Sequence, residues 1–202
     1  MIKNIIFDVG NVLVDFRDLA YMADLGFSEE LAMEFQKKVV WNPLWQELDR
    51  GVLDPKEVME EMKKLVPSHR KEADLFFDRL DEIVESFPYA QEWLHSLRER
   101  GYKTYLLSNY PKDLFEGHVE NGRFTFMKDI DGKVVSAYEK CIKPDPAIYN
   151  CLLHRYQLQP SECVFLDDRK ENVEAAIALG IHGIHFTDYE KCKAQLEQLL
   201  SE

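Results

Sequence analysis

The sequence predicts an α/β fold: a doubly wound parallel sheet with a small helical cap inserted after its first strand. Three observations carry this expectation. Short, continuous apolar runs that each end in a polar residue recur along the chain, and such runs suit strands buried on both faces. Helical segments closed by glycine alternate with them. Between the first run and the others lies a stretch, residues 15–87, that is helical and acidic in character and carries no strand signal.

The first strand is Asn4-Ile5-Ile6-Phe7-Asp8. In the stretch that follows, Ser28 ahead of Glu29-Glu30 starts a helix. Asp54-Pro55-Lys56-Glu57 offers an N-cap, a proline at the first helical position and an acid in the first turn. A helix over Tyr89–Arg100 stops at Gly101, just before the second run, Lys103-Thr104-Tyr105-Leu106-Leu107-Ser108. Asp131-Gly132, between Met127-Lys128 and Val134-Val135, reads as a tight hairpin turn. Asp145 and Pro146 open another helix, and the third run is Cys163-Val164-Phe165-Leu166-Asp167. A helix from Glu171 to Leu179 ends at Gly180, and Gly183-Ile184-His185-Phe186 supplies a further strand. The core is thus expected over residues 1–14 and 88–202, and the cap over residues 15–87. Ligands of such sheets bind at the carboxyl ends of the strands, so the polar residues ending the runs converge on one site.

Composition narrows the function. With 46% hydrophobic and 31% charged residues among 202, the chain has material for a real core. Its net charge of -12, from 25 basic and 37 acidic residues, repels phosphate backbones and anionic lipid surfaces. Neither nucleic acid nor membrane is therefore expected as a partner, and the oligomeric state expected is a monomer or a weak homo-oligomer. The stretch 15–87 holds 18 acids against 10 bases and so carries most of the excess. Cys141, Cys151, Cys163 and Cys192 show no C-x-x-C spacing and read as reduced thiols, and no early apolar run is long enough for a signal peptide; a cytoplasmic location follows as an expectation. No histidine pair has metal-ligand spacing, and neither glycine-rich nucleotide-binding loop is present.

The chemistry lies at the strand ends. Asp8, in Phe7-Asp8-Val9-Gly10-Asn11-Val12, places a carboxylate on the sheet rim, able to ligate a metal or attack an electrophile; alone, it serves equally as a turn or cap residue. Ser108-Asn109 offers a hydroxyl and an amide to phosphate oxygens, although Ser108 could instead cap the next helix. Lys143, in Ile142-Lys143-Pro144-Asp145-Pro146, would supply a cation if it is not a solvated surface lysine. Asp167-Asp168 is the most telling pair: adjacent carboxylates ending a buried strand repel each other, and Mg²⁺ relieves that repulsion. Nucleophile, hydroxyl, cation and metal site together make a phosphoryl-transfer set.

These four ordered motifs resemble those of the haloacid dehalogenase superfamily of hydrolases, along essentially the whole chain. Phe-Asp-x-Gly-Asn-Val and Leu-Asp-Asp-Arg-x-x-Asn-Val are most similar to the branch containing α-D-glucose-1-phosphate phosphatases and the N-terminal phosphatase domains of epoxide hydrolases. The resemblance implies a Rossmann-like core, with Asp8 as the nucleophile that becomes a phospho-aspartate. It implies that Ser108 binds the phosphoryl group beside Asn109, that Lys143 neutralises it, and that Mg²⁺ is held by Asp8, the Gly10 carbonyl and Asp168, with Asp167 in or just outside that shell. The substrate would be a small phosphomonoester, and a sugar phosphate would suit the aromatic and polar side chains of Trp41–Gly51, unless these are core.

One departure stands out. Phosphatases of the superfamily usually carry a second aspartate two residues after the nucleophile as general acid and base, and Gly10 stands there in this chain. A good leaving group would need less protonation, or Asp15 or Asp49 could supply the proton, or turnover could be slow. The same glycine suits a metal-independent 2-haloacid dehalogenase, for which Asp167-Asp168 has no explanation. A catalytically weak phosphate-binding or interaction domain is the remaining alternative.

Overall fold

The structure, a computed structural model, describes residues 1–201. Five strands form a parallel sheet in the order β5-β4-β1-β6-β7: β1 (Asn4–Phe7), β4 (Lys103–Ser108), β5 (Gly132–Val135), β6 (Cys163–Asp167) and β7 (His182–His185). β1 is central, and the chain builds outward on one side of it before returning to the other. That reversal of direction opens a crevice at the strand ends beside β1. No helix among the described residues is long and apolar enough to cross a membrane.

Alternation along the strands divides the core into two faces, since successive side chains point to opposite sides. Ile5, Phe7, Leu106, Val164 and Leu166 pack on one face with Trp93, Leu94 and Leu97 of α6 (Ala90–Glu99) and Leu196 of α11 (Tyr189–Ser201). Ile6, Tyr105, Leu107, Cys163 and Phe165 pack on the other with Ile148, Tyr149 and Leu152 of α9 (Pro146–Arg155) and Ala176 of α10 (Lys170–Ala178). Burial on both faces explains why these strands read as unbroken apolar runs.

Between β1 and α6 the chain forms five helices, α1 (Asp18–Asp24), α2 (Glu29–Phe35), α3 (Pro43–Arg50), α4 (Pro55–Lys63) and α5 (Arg70–Asp78), with a π-helical turn at Gln36–Val40. Their starts follow the local chemistry: Ser28 Oγ accepts from the Leu31 amide, and Asp54 Oδ1 accepts from the Lys56 and Glu57 amides. Phe35 and Phe76 meet at a tilt, ring centroids 5.9 Å apart, within the shared core of this segment, and Met62 is fully buried in it.

Two sequence expectations need correction here. The stretch 15–87 is not free of strands: β2 (Val14–Phe16) and β3 (Val84–Ser86) pair antiparallel at its two ends, each too short to generate a period-two pattern. Asp131-Gly132 does not turn a hairpin. Met127–Asp129 is a single 3₁₀ turn, and β5 runs parallel to β4, an alignment set where the Asp131 amide donates to the Thr104 carbonyl at 2.8 Å and the Asp131 carboxylate accepts from the Thr104 amide at 3.0 Å. Gly132 is required there by packing, because a Cβ would lie 2.4 Å from the Tyr156 ring.

Two short helices complete the rim, α7 (Lys112–Glu120) after β4 and α8 (Ser136–Glu139) after β5. α8 receives the end of α3. Ser136 Oγ donates to the Asp49 carbonyl, Lys140 Nζ donates to the Gly51 carbonyl, and Gly51, at φ +66°, closes α3 directly against Ala137.

Candidate active site

Three strands deliver the site. Asp8 follows β1, its amide donating to the Leu166 carbonyl of β6 at 2.9 Å, so the nucleophile candidate is held by the sheet ladder itself. Asp167 ends β6 and Asp168 follows it. One oxygen from each of Asp8, Asp167 and Asp168 lies within 4.8 Å of the others. Lys143 is buried among them, with Nζ 2.8 Å from Asp8 Oδ1 and 2.6 Å from Asp167 Oδ2, and it donates to the Leu107 carbonyl at 2.8 Å. Its three protons are thereby all used.

The two neighbouring aspartates have different surroundings. Asp167 is fully buried, and its oxygens accept from Lys143 Nζ, the Arg169 amide at 2.8 Å and Asn172 Nδ2 at 2.9 and 3.1 Å. Asp168 is half-buried and accepts from Asn11 Nδ2 at 2.9 Å, while its carbonyl receives His185 Nε2 at 2.9 Å. Asp8 Oδ1 accepts from the Val9 amide at 2.7 Å as well as facing Lys143, which leaves Oδ2 as its less engaged oxygen.

One ammonium does not balance three carboxylates. Burial, helped by Asp167 and Asp168, raises Asp8 to about 8 against the pull of Lys143. Burial and the Asp167 charge also raise Asp168, opposed by the hydrogen bond from Asn11. Burial works against the charge on Lys143, but Asp167 and Asp8 outweigh it and hold the ammonium above its ordinary value.

A cavity of about 270 Å³ opens in front of this cluster. Asp8, Gly10, Asn11, Lys143 and Asp168 form its floor, and Phe16, Trp45, Gln46 and Asp49 enter from the helical segment opposite. Within Trp41–Gly51, Trp45, Gln46 and Asp49 therefore reach the cavity, whereas Leu48 is core and Trp41 is exposed. Asp49 and Asp15 also separate: Asp15 sits exposed on β2 outside the cavity, while burial raises Asp49 to about 7 against the attraction of Lys143 and Arg169.

The remaining candidates divide as well. Asn109 lines the cavity, but its side-chain amide clamps the Lys143 main chain, donating to the carbonyl at 3.0 Å and accepting from the amide at 2.8 Å. Ser108 ends β4 beside β1, is 1% exposed and does not line the cavity. It caps no helix, since α7 begins after Pro111. Asn11 and Asn172 join the site as well, bonding Asp168 and Asp167; their signal in the sequence is an amide close to an aspartate in each motif.

A parallel sheet with lysine-braced carboxylates facing a cavity at its strand ends is the architecture of a hydrolase with an α/β fold. A family model described as haloacid dehalogenase-like hydrolase matches residues 2–180, and the chain belongs to that family. A D-ribitol-5-phosphate phosphatase of Bacteroides thetaiotaomicron is 30% identical over 198 residues, covering 89% of this chain and 89% of its own. Acyl-CoA dehydrogenase family member 10 of Mus musculus is 31% identical over 165 residues, covering 77% of this chain; the match spans only 15% of that longer protein. A Bacteroides thetaiotaomicron enzyme of the same family, solved with magnesium and inorganic phosphate, superposes with a TM-score of 0.71 at 24% identity over 95% of this chain and 98% of its own.

Proposed function

We propose that the protein is a Mg²⁺-dependent phosphatase of a small phosphomonoester, working through a phospho-aspartate on Asp8, with the helical segment as a cap over the site. The observation that carries this reading is the cluster of Asp8, Asp167 and Asp168 around one lysine, at the floor of a cavity of about 270 Å³. Hard oxygen donors short of positive charge suit a hard divalent cation. Asp8, Asp168 and the Gly10 carbonyl would hold it; Asp167, whose oxygens are already engaged, positions Lys143 instead. When bound, Mg²⁺ would neutralise the charge of the phosphoryl oxygens.

The chain's own groups do the rest. Asp8 Oδ2 attacks phosphorus in line while Val9 and Lys143 hold the other oxygen in place. Lys143 and the Ser108 hydroxyl stabilise charge on the transferring group, and Asn109 fixes Lys143 by gripping its main chain. Water then hydrolyses the acyl phosphate. The aromatic wall of Phe16, Trp45 and Tyr110 favours a leaving group with an apolar face, a sugar included. The phosphatase named among the relatives supports the same substrate class.

Replacing Asp8 with Asn tests the reading: Mg²⁺-dependent phosphate release from a panel of small esters should vanish while the fold persists, and full activity in the variant would refute it. Gly10 favours one rival, metal-free dehalogenation. Halide release from 2-haloacids that persists in EDTA would establish that rival, while binding of phosphate without turnover of any ester would establish a non-catalytic domain.

A further inference from the structure

The phosphatase reading leaves one group unassigned: the acid that protonates the departing oxygen. Three carboxylates line the cavity, and Asp8 and Asp168 belong to the floor cluster. The third, Asp49, approaches from the opposite wall, on α3. A substrate joined to Asp8 through phosphorus must place its leaving-group oxygen away from the floor, toward that wall.

Two features show that the position is built. A Cβ placed on Gly10, which lines the cavity, meets no atom within 4 Å apart from its chain neighbours, so the space at that position of the floor is open. The backbone carrying Asp49 is fixed to the core: its carbonyl accepts from Ser136 Oγ, which in turn accepts from the Tyr110 amide at 2.9 Å. Two residues on, Gly51 is tied to Lys140 and seated on Ala137. These contacts use main-chain atoms of α3 and leave the Asp49 side chain to the cavity.

Resting on the phosphatase reading, we infer that the Asp49 carboxyl is the general acid and base of the reaction. As Asp8 Oδ2 bonds to phosphorus and the ester P–O bond breaks, the Asp49 proton passes to the leaving oxygen, which departs as an alcohol. The resulting carboxylate then takes a proton from water as that water attacks the phospho-aspartate. The bond from phosphorus to Asp8 breaks, releasing inorganic phosphate and restoring both side chains. The surroundings agree with this role. Burial holds the Asp49 proton to about pH 7, while the charged and titratable groups facing it across the cavity are Asp8, Lys143, Asp168, Arg169 and Tyr110, and Lys140 and Glu139 lie on or beside α8.

The test compares wild type and Asp49→Asn, with saturating Mg²⁺, on p-nitrophenyl phosphate and on a primary alkyl phosphate, by rapid mixing. The nitrophenolate leaving group needs no proton. The variant should keep its stoichiometric burst, then turn over about 10²-fold more slowly as phospho-aspartate accumulates. On the alkyl ester, phosphoenzyme formation itself should fall about 10²–10³-fold, and the alkaline limb of kcat near pH 7 should disappear. Gly10→Asp in the Asp49→Asn background, with a carboxyl in the open space, should restore much of the alkyl-ester rate. Undiminished turnover, or equal slowing of phosphoenzyme formation on both esters, would overturn the assignment. Wild type that releases phosphate from neither ester would instead remove the phosphatase reading, and the assignment with it.

Discussion

Lys143 and Asp167 form a buried ion pair, Nζ to Oδ2 at 2.6 Å, with side chains 1% and 0% exposed. The pair separates the two adjacent aspartates: Asp167 braces Lys143, while Asp168, bonded to Asn11, faces the cavity. Asp167→Ala leaves the Lys143 charge short of a partner and strips hydrogen bonds from Asn172 and Arg169. Breaking a buried pair of this kind costs about 3–5 kcal/mol, so urea denaturation should show a loss of that order along with loss of activity.

Asp168→Asn should behave in the opposite sense. Its carboxylate is disfavoured by burial and by Asp167, and removing the charge should leave metal-free stability unchanged or higher. Wild type at one hundred times the Mg²⁺ dissociation constant should gain about 2.7 kcal/mol over the same protein in EDTA. The variant should lose most of that gain, which thermal melts with and without metal would measure.

Gly51 offers a handle on the helical segment. At φ +66°, with a Cβ that would sit 2.9 Å from Ala137 backbone atoms, Gly51→Ala must shift the end of α3 off α8. A left-handed non-glycine residue costs roughly 1–2 kcal/mol before that clash is counted. Stability should fall by at least this amount, and kcat should drop with it because Asp49 moves. Unchanged melting temperature and kcat would contradict the seating described for α3.

His118 makes stability pH-dependent. The buried imidazole receives the Tyr110 hydroxyl at Nδ1 (2.9 Å) and donates from Nε2 to the Asp81 carbonyl (2.9 Å), and burial lowers it from 6.5 to about 4. A histidine depressed in the folded state gives stability that is complete above its unfolded value and is lost as pH falls toward the folded one. Between pH 7 and pH 4 this amounts to about 3 kcal/mol. His118→Gln should flatten the stability profile across that window relative to wild type, even if it is less stable at pH 7.

The doubly buried strands and the residues at their ends were legible because continuous apolar runs and terminal carboxylates are local signals. Lys143 could be named but not placed, since its burial depends on three separated segments closing around it. Asn109 shows the limit of reading residue type alone: an amide suited to phosphate turns out to grip the Lys143 backbone. β5 was misread because Asp-Gly signals a turn from sequence, while the Tyr156 ring that demands the glycine lies far along the chain. Asp15 and Asp49 were equivalent in sequence, and only the docking of α3 on α8 separates them.

The pairing of Val14 with Ser86 brings the chain back to about one strand spacing, roughly 4.8 Å, from where it left the sheet. To the strands on either side, the whole intervening run is equivalent to a tight turn, since closure entropy changes only slowly with the length enclosed. The length of that run therefore adds little closure cost to the sheet. The residues that this run sends into the cavity, Phe16, Trp45, Gln46 and Asp49, are thus held by a part of the chain separate from the strands that carry Asp8 and Asp167.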